Sequence, residues 1–165
     1  LITMSGDPAR YLSFWDITER ALRYAIQAIV PQAVDDWAAY ADAAASLMNQ
    51  HRHLSAYPDN REVIQALRSQ GITTGILSNG DPAMLGIALR SAGLDSLIDP
   101  VISADAVRQY KIAPSLYALG EQATGLARAQ ILFVSSNAWD VLGATWFGYQ
   151  TLWINRANLP FEQLD

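Results

Sequence analysis

Serine and asparagine side chains follow two apolar runs of this sequence, and their types and positions could do chemistry. Ser78-Asn79-Gly80 follows Ile76–Leu77, and Ser135-Ser136-Asn137 follows Phe133–Val134. In both places a helix-forming segment comes next, and the free N–H groups at a helix N-terminus favour an anion. The pattern is consistent with a cradle for a small anion. It is equally typical of ordinary strand-to-helix turns and caps, so both interpretations stay open at this point.

Lys111 is the only lysine in the chain, and the ten other basic residues are arginines. A lysine ammonium is a compact charge that can contact two carboxylates from different sides, whereas the arginine fork imposes a planar geometry. Lys111 lies in the loop before the helix that begins at Pro114, which is at the same edge of the predicted sheet. The alternative is an exposed lysine that remains in an arginine-rich sequence.

Asn137 and Asp140 are three residues apart at the start of a predicted helix. This spacing puts two side chains on one helix face, where they could share one water molecule. An aspartate in that position could act as a general base toward the water. The alternative is an aspartate that only caps the helix.

His51 and His53 alternate in a polar segment, but two histidines without further ligands make a weak metal site, and solvated loop residues are the simpler interpretation. Five aromatic residues are expected to be core residues by default, although a ligand pocket would use the same side chains. They are Phe14, Trp15, Trp37, Tyr117 and Trp139.

The elements that position these residues follow from apolar periodicity and from start and stop signals. The first third is helical, with two helices separated by Pro31. From Asp59 onward short apolar runs alternate with amphipathic helices, which predicts a mostly parallel sheet with right-handed crossovers. The predicted strands are 72–77, the run near 101–102, 131–134 and 151–154. Three predicted helices of this part begin at Asp59, Asp81 and Pro114, and a fourth includes 141–146.

Composition limits the class of protein. The chain has 165 residues, of which 51% are hydrophobic and 16% charged, as expected for one globular α/β protein. Its net charge of −5 disfavours nucleic acid and anionic membranes as partners. The absence of cysteine excludes disulfides, thiol nucleophiles and cysteine metal sites. No apolar run is long enough to cross a membrane, and we expect a soluble, cytoplasmic protein.

Three segments occur in an order that matches a known family: Ile76-Leu-Ser-Asn-Gly80, Lys111-Ile-Ala-Pro-Ser-Leu-Tyr117 and Phe133-Val-Ser-Ser-Asn-Ala-Trp-Asp140. Together with Phe14-Trp15 and Ala56-Tyr-Pro-Asp59, they resemble the type II L-2-haloacid dehalogenases of the haloacid dehalogenase superfamily. The resemblance covers essentially the whole chain. It implies a Rossmann-like parallel α/β core, here without its first strand, and a helical cap subdomain, with the cap at 1–57 and the core at 58–165. A homodimer is possible on the same grounds.

The resemblance also implies a reaction, in which an aspartate displaces halide from a small halogenated carboxylic acid and water hydrolyses the resulting ester. Ser78 and Asn79 would then hold the substrate carboxylate, and Lys111 would position the nucleophile and neutralise charge. Ser135 would orient the nucleophile, while Asn137 and Asp140 would place and activate the water. The pocket walls would be Phe14, Tyr117 and Trp139.

Ser135 distinguishes the expected dehalogenase from a phosphatase of the same superfamily. Phosphatases of the superfamily carry an acidic residue at this position to help hold magnesium, so a serine here predicts a site that works without a metal or other cofactor. A magnesium-dependent phosphatase is therefore the weaker alternative. A non-catalytic fragment or binding module of the same fold is another.

The sequence departs from the family in three respects. Ile112 stands where proline usually follows the lysine. The motif Asp-x-Tyr-Gly-Thr, which ends the first strand of the family and supplies its nucleophile, has no match here. The upstream arginine of the halide site is also missing. We therefore expect a chain truncated at both ends that is inactive alone.

Overall fold

The structure is a computed structural model, and it describes residues 7–160. Among these residues, two α-helices form a helical first third, and four further α-helices then alternate with four strands. The helices are α1 Phe14–Ile29, α2 Ala38–Arg52, α3 Asn60–Ser69, α4 Pro82–Ser91, α5 Pro114–Thr124 and α6 Ala138–Phe147. The strands are β1 Ile76–Ser78, β2 Val101–Ser103, β3 Leu132–Ser135 and β4 Gln150–Trp153.

Local signals in the sequence set most of the helix ends. Asp81 caps α4 by accepting a hydrogen bond from the backbone N–H of Met84, and Pro82 occupies the first helical position. Ser13 caps α1 in the same way, through the N–H of Asp16. At the C-terminus of α5, Gly125 has a φ of +69°, a left-handed conformation that glycine adopts without steric cost.

The four strands form two parallel pairs. β1 pairs with β2, so that Leu77 lies beside Ile102, and β3 pairs with β4, so that Phe133 lies beside Thr151. The predicted parallel arrangement with helical crossovers is confirmed. Within residues 7–160, no strand pairs β1 with β3.

The core consists of three clusters of buried apolar side chains that lie against the strands. One packs under β1 through Leu89, Leu94 and Ile98. A second joins Tyr110 and Leu116 to the start of α1. The third lies around Tyr117 and Tyr149 and contacts Leu77 of β1 as well as Phe133 of β3. This third cluster links the two strand pairs, and it directly supports the candidate site.

Aromatic contacts hold the helical first third onto the α/β core. The Tyr11 hydroxyl donates to Asp105, and the Tyr110 hydroxyl donates to the carbonyl of Leu12. The rings of Tyr11 and Tyr110 stack with centroids 5.0 Å apart. Trp15 and Trp37 are half-buried beneath arginine side chains and do not lie in the core.

Three sequence-based expectations about elements need correction. The strand predicted at 72–77 begins only at Ile76, whose N–H donates to the carbonyl of Pro100. His51 lies within α2, because this helix continues to Arg52. Asp59 makes no side-chain cap for α3 and instead pairs with Arg156 at 2.8 Å.

No helix among residues 7–160 is both long and apolar enough to cross a bilayer.

Candidate active site

A buried ion pair between Lys111 and Asp140 forms the centre of the candidate site. The Lys111 Nζ lies 2.8 Å from Oδ2 of Asp140, and the two side chains are only 10% and 4% exposed. A charge-assisted hydrogen bond of this length is strong, and burial reduces its screening by water and salt. The only lysine of the chain therefore has a specific, buried partner and is not an exposed residue.

Two hydroxyl groups complete the contacts of the Asp140 carboxylate. Ser135 Oγ donates to Oδ2 at 3.0 Å, so this oxygen binds both the serine and Lys111. Tyr117 Oη donates to Oδ1 at 2.8 Å. Ion pairing and hydrogen bonding offset the cost of burying a carboxylate, which is high when such partners are missing. We refer to Lys111, Tyr117, Ser135 and Asp140 as the carboxylate cluster.

Three members of the carboxylate cluster stand where an element begins or ends, and Lys111 lies in the loop before α5. Ser135 is the last residue of β3, and Asp140 lies in the first turn of α6. The intervening Asn137 is the N-cap residue of α6, and its backbone N–H donates to Ser135 Oγ at 3.2 Å. Tyr117 lies in the first turn of α5. The carboxyl ends of parallel strands thus collect these groups at one edge, as expected for this topology.

Asn79 fixes the backbone of the Lys111 loop. Its Oδ1 accepts a hydrogen bond from the Lys111 N–H at 2.9 Å, which connects the end of β1 to the loop after β2. The peptide bond between Lys111 and Ile112 is cis. The side-chain oxygen of Asn79 is therefore engaged by the protein, and its amide NH₂ is the part left to contact a ligand.

A glycine in the interior of α6 allows the close approach of Tyr117 and the Lys111 loop. A Cβ at Gly143 would lie 2.6 Å from Cγ2 of Ile112 and 2.9 Å from the Tyr117 hydroxyl. Both distances are shorter than van der Waals contact. Only glycine at this position lets the Tyr117 hydroxyl reach Asp140 while Ile112 packs on the helix.

Burial and the neighbouring charge act in opposite directions on Lys111. Desolvation lowers the pKa of the Lys111 ammonium, and the Asp140 carboxylate partly offsets this effect. For Tyr117 both causes act in one direction, since burial and the hydrogen bond to Asp140 raise the pKa of the phenol. The phenol therefore stays protonated and donates its hydrogen bond to the carboxylate throughout the physiological pH range.

The other predicted site residues lie nearby but outside the carboxylate cluster. Ser78 Oγ accepts from the N–H of Gly80 at 3.0 Å, as a turn-forming serine does. Asn137 is exposed, and Trp139 is 38% exposed. Phe14 packs edge-on against Tyr110, with ring centroids 6.2 Å apart. The structure thus brings together Lys111 with Ser135, Asp140, Tyr117 and Asn79.

A cavity of about 500 Å³ opens between the first two helices and the β1–β2 edge. It is lined by Ser13, Trp15, Arg52, Asp81, Pro82, Ala83, Met84 and Asp105. None of the three aromatic residues predicted to wall a pocket lines this cavity. Trp15 lines it instead, beneath the guanidinium of Arg52 at 4.2 Å from the ring centroid.

The two histidines contribute no metal site to the part of the chain that the structure describes. His53 Nδ1 lies 2.8 Å from the backbone oxygen of Asn49, a local contact at the end of α2. No group of three or more His, Cys, Asp or Glu side chains among residues 7–160 is arranged to hold a metal ion.

Sequence reasoning missed the roles of Tyr117 and Gly143. Tyr117 was expected to wall a pocket, whereas it is fully buried and donates to Asp140. The sequence gives no signal of this role, because core positions and ligand pockets use the same aromatic residue types. The glycine at 143 did carry a signal, since glycine in a helix interior is disfavoured unless close packing requires it.

A parallel α/β core with a buried Lys–Asp pair and two hydroxyls at its carboxyl edge defines a candidate enzyme of the Rossmann-like class. The family of haloacid dehalogenase-like hydrolases matches residues 9–148, and the chain belongs to this family. The resemblance inferred from the sequence motifs is confirmed at this level.

Haloacid dehalogenases are among the relatives that match the chain. The (S)-2-haloacid dehalogenase 4A of Burkholderia cepacia is 39% identical over 153 residues, which cover 93% of this chain and 64% of that protein. The crystal structure of an L-2-haloacid dehalogenase matches with a TM-score of 0.83 and 49% identity, covering 98% of this chain and 67% of the other.

A third match is the L-2-haloacid dehalogenase of Xanthobacter autotrophicus with chloropropionic acid covalently bound. Its TM-score is 0.78 at 35% identity, and the match covers 90% of this chain and 57% of that one. The chain thus spans less than two thirds of the length of its Burkholderia relative, at 64%.

Proposed function

We propose that this chain supplies most of the active site of an enzyme that hydrolyses L-2-haloacids to 2-hydroxy acids. The observation that carries the proposal is the buried carboxylate cluster, in which Lys111, Ser135 and Tyr117 surround Asp140. The family and the activities named for the relatives support the same reaction.

The proposed reaction has two steps, and neither uses a metal. A carboxylate oxygen attacks the carbon that bears the halogen, so that a C–O bond forms, the carbon–halogen bond breaks and halide leaves with the bonding electrons. Water then hydrolyses the ester and regenerates the carboxylate. The Xanthobacter relative with covalently bound chloropropionic acid supports a covalent step. Ser135 contributes no carboxylate to a metal cage, which favours this chemistry over phosphatase chemistry.

Lys111 would position the attacking carboxylate. Its ammonium is a compact charge with three donor N–H groups, of which one binds Asp140 Oδ2. The others can hold a second carboxylate brought to the same place. The positive charge would also offset the anionic substrate, which the chain's net charge of −5 would otherwise repel.

Asp140 would activate the water of the second step, with Asn137 helping to place it. The Oδ1 atom accepts one hydrogen bond, from Tyr117, and a carboxylate oxygen has room for a second. A water bound there could pass a proton to the carboxylate as it attacks the ester. Lys111, Ser135 and Tyr117 would hold the carboxylate still during this transfer.

The substrate carboxylate would lie at the ends of β1 and β3. Ser78 ends β1 and Asn79 follows it, shortly before the N-terminus of α4 at Pro82, where backbone N–H groups favour an anion. Trp139, partly exposed near the same edge, and Phe14 would limit the size of the acid. Residues 1–57 would form part of a cap and 58–165 the core.

The attacking carboxylate would come from outside these 165 residues. Asp140 is engaged by three partners, Asp81 caps α4 and Asp105 accepts from Tyr11. No other aspartate of residues 7–160 forms an ion pair with Lys111. A strand that ends in the family motif Asp-x-Tyr-Gly-Thr, placed between β1 and β3, would bring its aspartate to the Lys111 ammonium.

Chloride release from L-2-chloropropionate tests the proposal. The 165-residue chain should release none by itself. The same chain fused to an N-terminal segment whose strand ends in Asp-x-Tyr-Gly-Thr should release chloride, and Lys111→Ala in this fusion should abolish the release. Arg156→Ala, which removes a surface ion pair, is the matched control and should leave the rate unchanged. Chloride release that survives Lys111→Ala would contradict the role given to Lys111.

A further inference from the structure

The Lys111 ammonium has a second neighbour besides Asp140, the aromatic ring of Phe133. Nζ lies 4.8 Å from the centroid of this ring, within the range of a cation–π contact. Phe133 and Ser135 are two residues apart on β3 and so project from the same face of the strand. The strand therefore presents a hydroxyl to Asp140 and, one step earlier, a ring to Lys111.

Two tyrosines fix the orientation of the Phe133 ring. Tyr117 meets it edge-on, with centroids 5.7 Å apart and an interplanar angle of 87°, and Tyr149 stacks on it at 6.1 Å and 17°. Both tyrosines are buried, and the Tyr149 hydroxyl donates to the carbonyl of Tyr117. A ring held on two sides offers a constant surface to the ammonium and does not rotate freely.

We propose that Phe133 is a positioning residue that holds the Lys111 ammonium against the Asp140 carboxylate. The electron-rich ring face attracts a cation but cannot accept a proton from it. It thus favours the charged lysine without competing with Asp140 for hydrogen bonds. An aliphatic side chain of similar size would bury the lysine equally well and would offer no such attraction.

Few other groups are placed to favour the charged form of Lys111. Asp140 on α6 is its ion-pair partner, and Tyr117 on α5 acts through Asp140. The neighbours from β1 and β3, Asn79 and Ser135, carry no titratable group. Burial lowers the pKa of Lys111 and Asp140 opposes this effect, so loss of an attractive ring should lower that pKa further.

The single lysine makes a direct measurement possible. Biosynthetic labelling with [ε-¹³C]lysine gives one NMR signal, that of Lys111, whose chemical shift against pH reports its protonation. Site-specific replacement of Phe133 by 3,4,5-trifluorophenylalanine keeps the shape of the ring and withdraws the negative charge of its face. We expect the midpoint of the Lys111 titration to move to lower pH by about 0.5 in this variant.

Phe147 provides the matched control. Its ring contacts Tyr117 and Tyr149 in the same aromatic cluster, but the cation above it is Arg128, at 4.0 Å, and not Lys111. The same fluorinated residue at 147 should leave the Lys111 midpoint unchanged. An unchanged midpoint with the fluorinated residue at 133, or equal changes at 133 and 147, would overturn the proposal.

A second measurement uses ring currents and does not require the fluorinated residue. The Lys111 Nζ lies over the ring face, so we expect the resonance of the adjacent Hε protons to be displaced upfield in the unmodified chain. Phe133→Leu should remove the displacement and Phe147→Leu should retain it. Retention of the displaced resonance in Phe133→Leu would contradict the contact.

The contribution of Phe133 to catalysis rests on the proposed function, but its contact with Lys111 does not. In the active fusion, the high-pH limb of chloride release should follow the change in the Lys111 midpoint. A changed midpoint in a fusion that releases no chloride would refute the proposed function alone. Chloride release with an unchanged midpoint would refute the role of Phe133 alone.

Discussion

The hydroxyl of Tyr117 donates to Oδ1 of Asp140 at 2.8 Å, while Lys111 binds Oδ2 of the same carboxylate. The tyrosine and the lysine thus hold Asp140 through different oxygens, and both side chains are largely buried. This arrangement fixes the carboxylate in one orientation. It also makes the stability of the fold depend on groups assigned to the reaction.

Tyr117→Phe should destabilise the chain more than the loss of an ordinary hydrogen bond. The change removes one donor from a buried, charged acceptor, and such bonds contribute about 1.5 to 3 kcal/mol. Urea unfolding followed by circular dichroism gives the free energy of unfolding. Tyr149→Phe is the control, since its hydroxyl donates to a neutral carbonyl and its loss should cost about 1 kcal/mol. Equal losses in the two variants would contradict a charged Asp140.

Lys111→Met should be among the most damaging single changes to stability. It retains an apolar stem of similar length and leaves the Asp140 carboxylate buried without its cation, at an expected cost of about 3 to 5 kcal/mol. The same urea assay measures the loss. Arg156→Met removes a cation from an exposed pair with Asp59 and should leave the unfolding midpoint nearly unchanged. A comparably small effect of Lys111→Met would show that the pair is not buried in solution.

Gly143→Ala should lower stability, although alanine is the better helix former. The added methyl would meet Ile112 and the Tyr117 hydroxyl at less than 3 Å, and overpacking of this kind costs about 1 to 3 kcal/mol. Gly86→Ala, in the interior of α4, meets only the mobile end of Arg90 at 3.3 Å. This control should gain about 0.5 to 1 kcal/mol from helix propensity. A gain in both variants would refute the close packing of α5 on α6.

Stability should fall as the pH rises above 10. Burial raises the pKa of the Tyr149 phenol to about 12, and it raises the pKa of Tyr11 and Tyr117 as well. A group whose pKa is higher in the folded state stabilises the fold below its unfolded pKa, here about 10, and this contribution is lost as the pH rises toward the folded value.

Lys111 acts in the opposite direction at alkaline pH, because its pKa is lowered on folding. The cost of burying its charge disappears as the pH rises toward its unfolded value, but one lysine opposes several tyrosines. Urea unfolding between about pH 8 and 12 should therefore show a net loss. The loss should be smaller in Tyr149→Phe. Constant stability across this range would contradict the burial of these phenols.

The order of elements was predictable because it depends on local signals. Asp81 and Pro82 mark the start of α4 as expected, and the apolar runs near 101 and 131 do form parallel strands. The beginning of β1 was not predictable. It depends on where the chain meets Pro100, a contact between segments more than twenty residues apart.

The candidate site, like the fold, was predictable from the sequence only in part. Lys111, Ser135 and Asp140 were expected at one edge because parallel strands gather their carboxyl ends there, and the structure brings them together. The depth of Asp140 was not foreseeable, since the spacing from Asn137 fits a helix cap equally well. The roles of Tyr117 and Phe133 depend on tertiary packing and left no mark in the local sequence pattern.

The most direct test of the central claim uses the Asp140→Asn variant of the fusion that carries the Asp-x-Tyr-Gly-Thr strand. Mixed with excess L-2-chloropropionate, this variant should release one equivalent of chloride and then stop, because the ester forms but no base activates water. Intact mass spectrometry should show the protein heavier by the substrate less hydrogen chloride. Continued turnover, or a chloride burst without the covalent adduct, would contradict the water-activating role of Asp140.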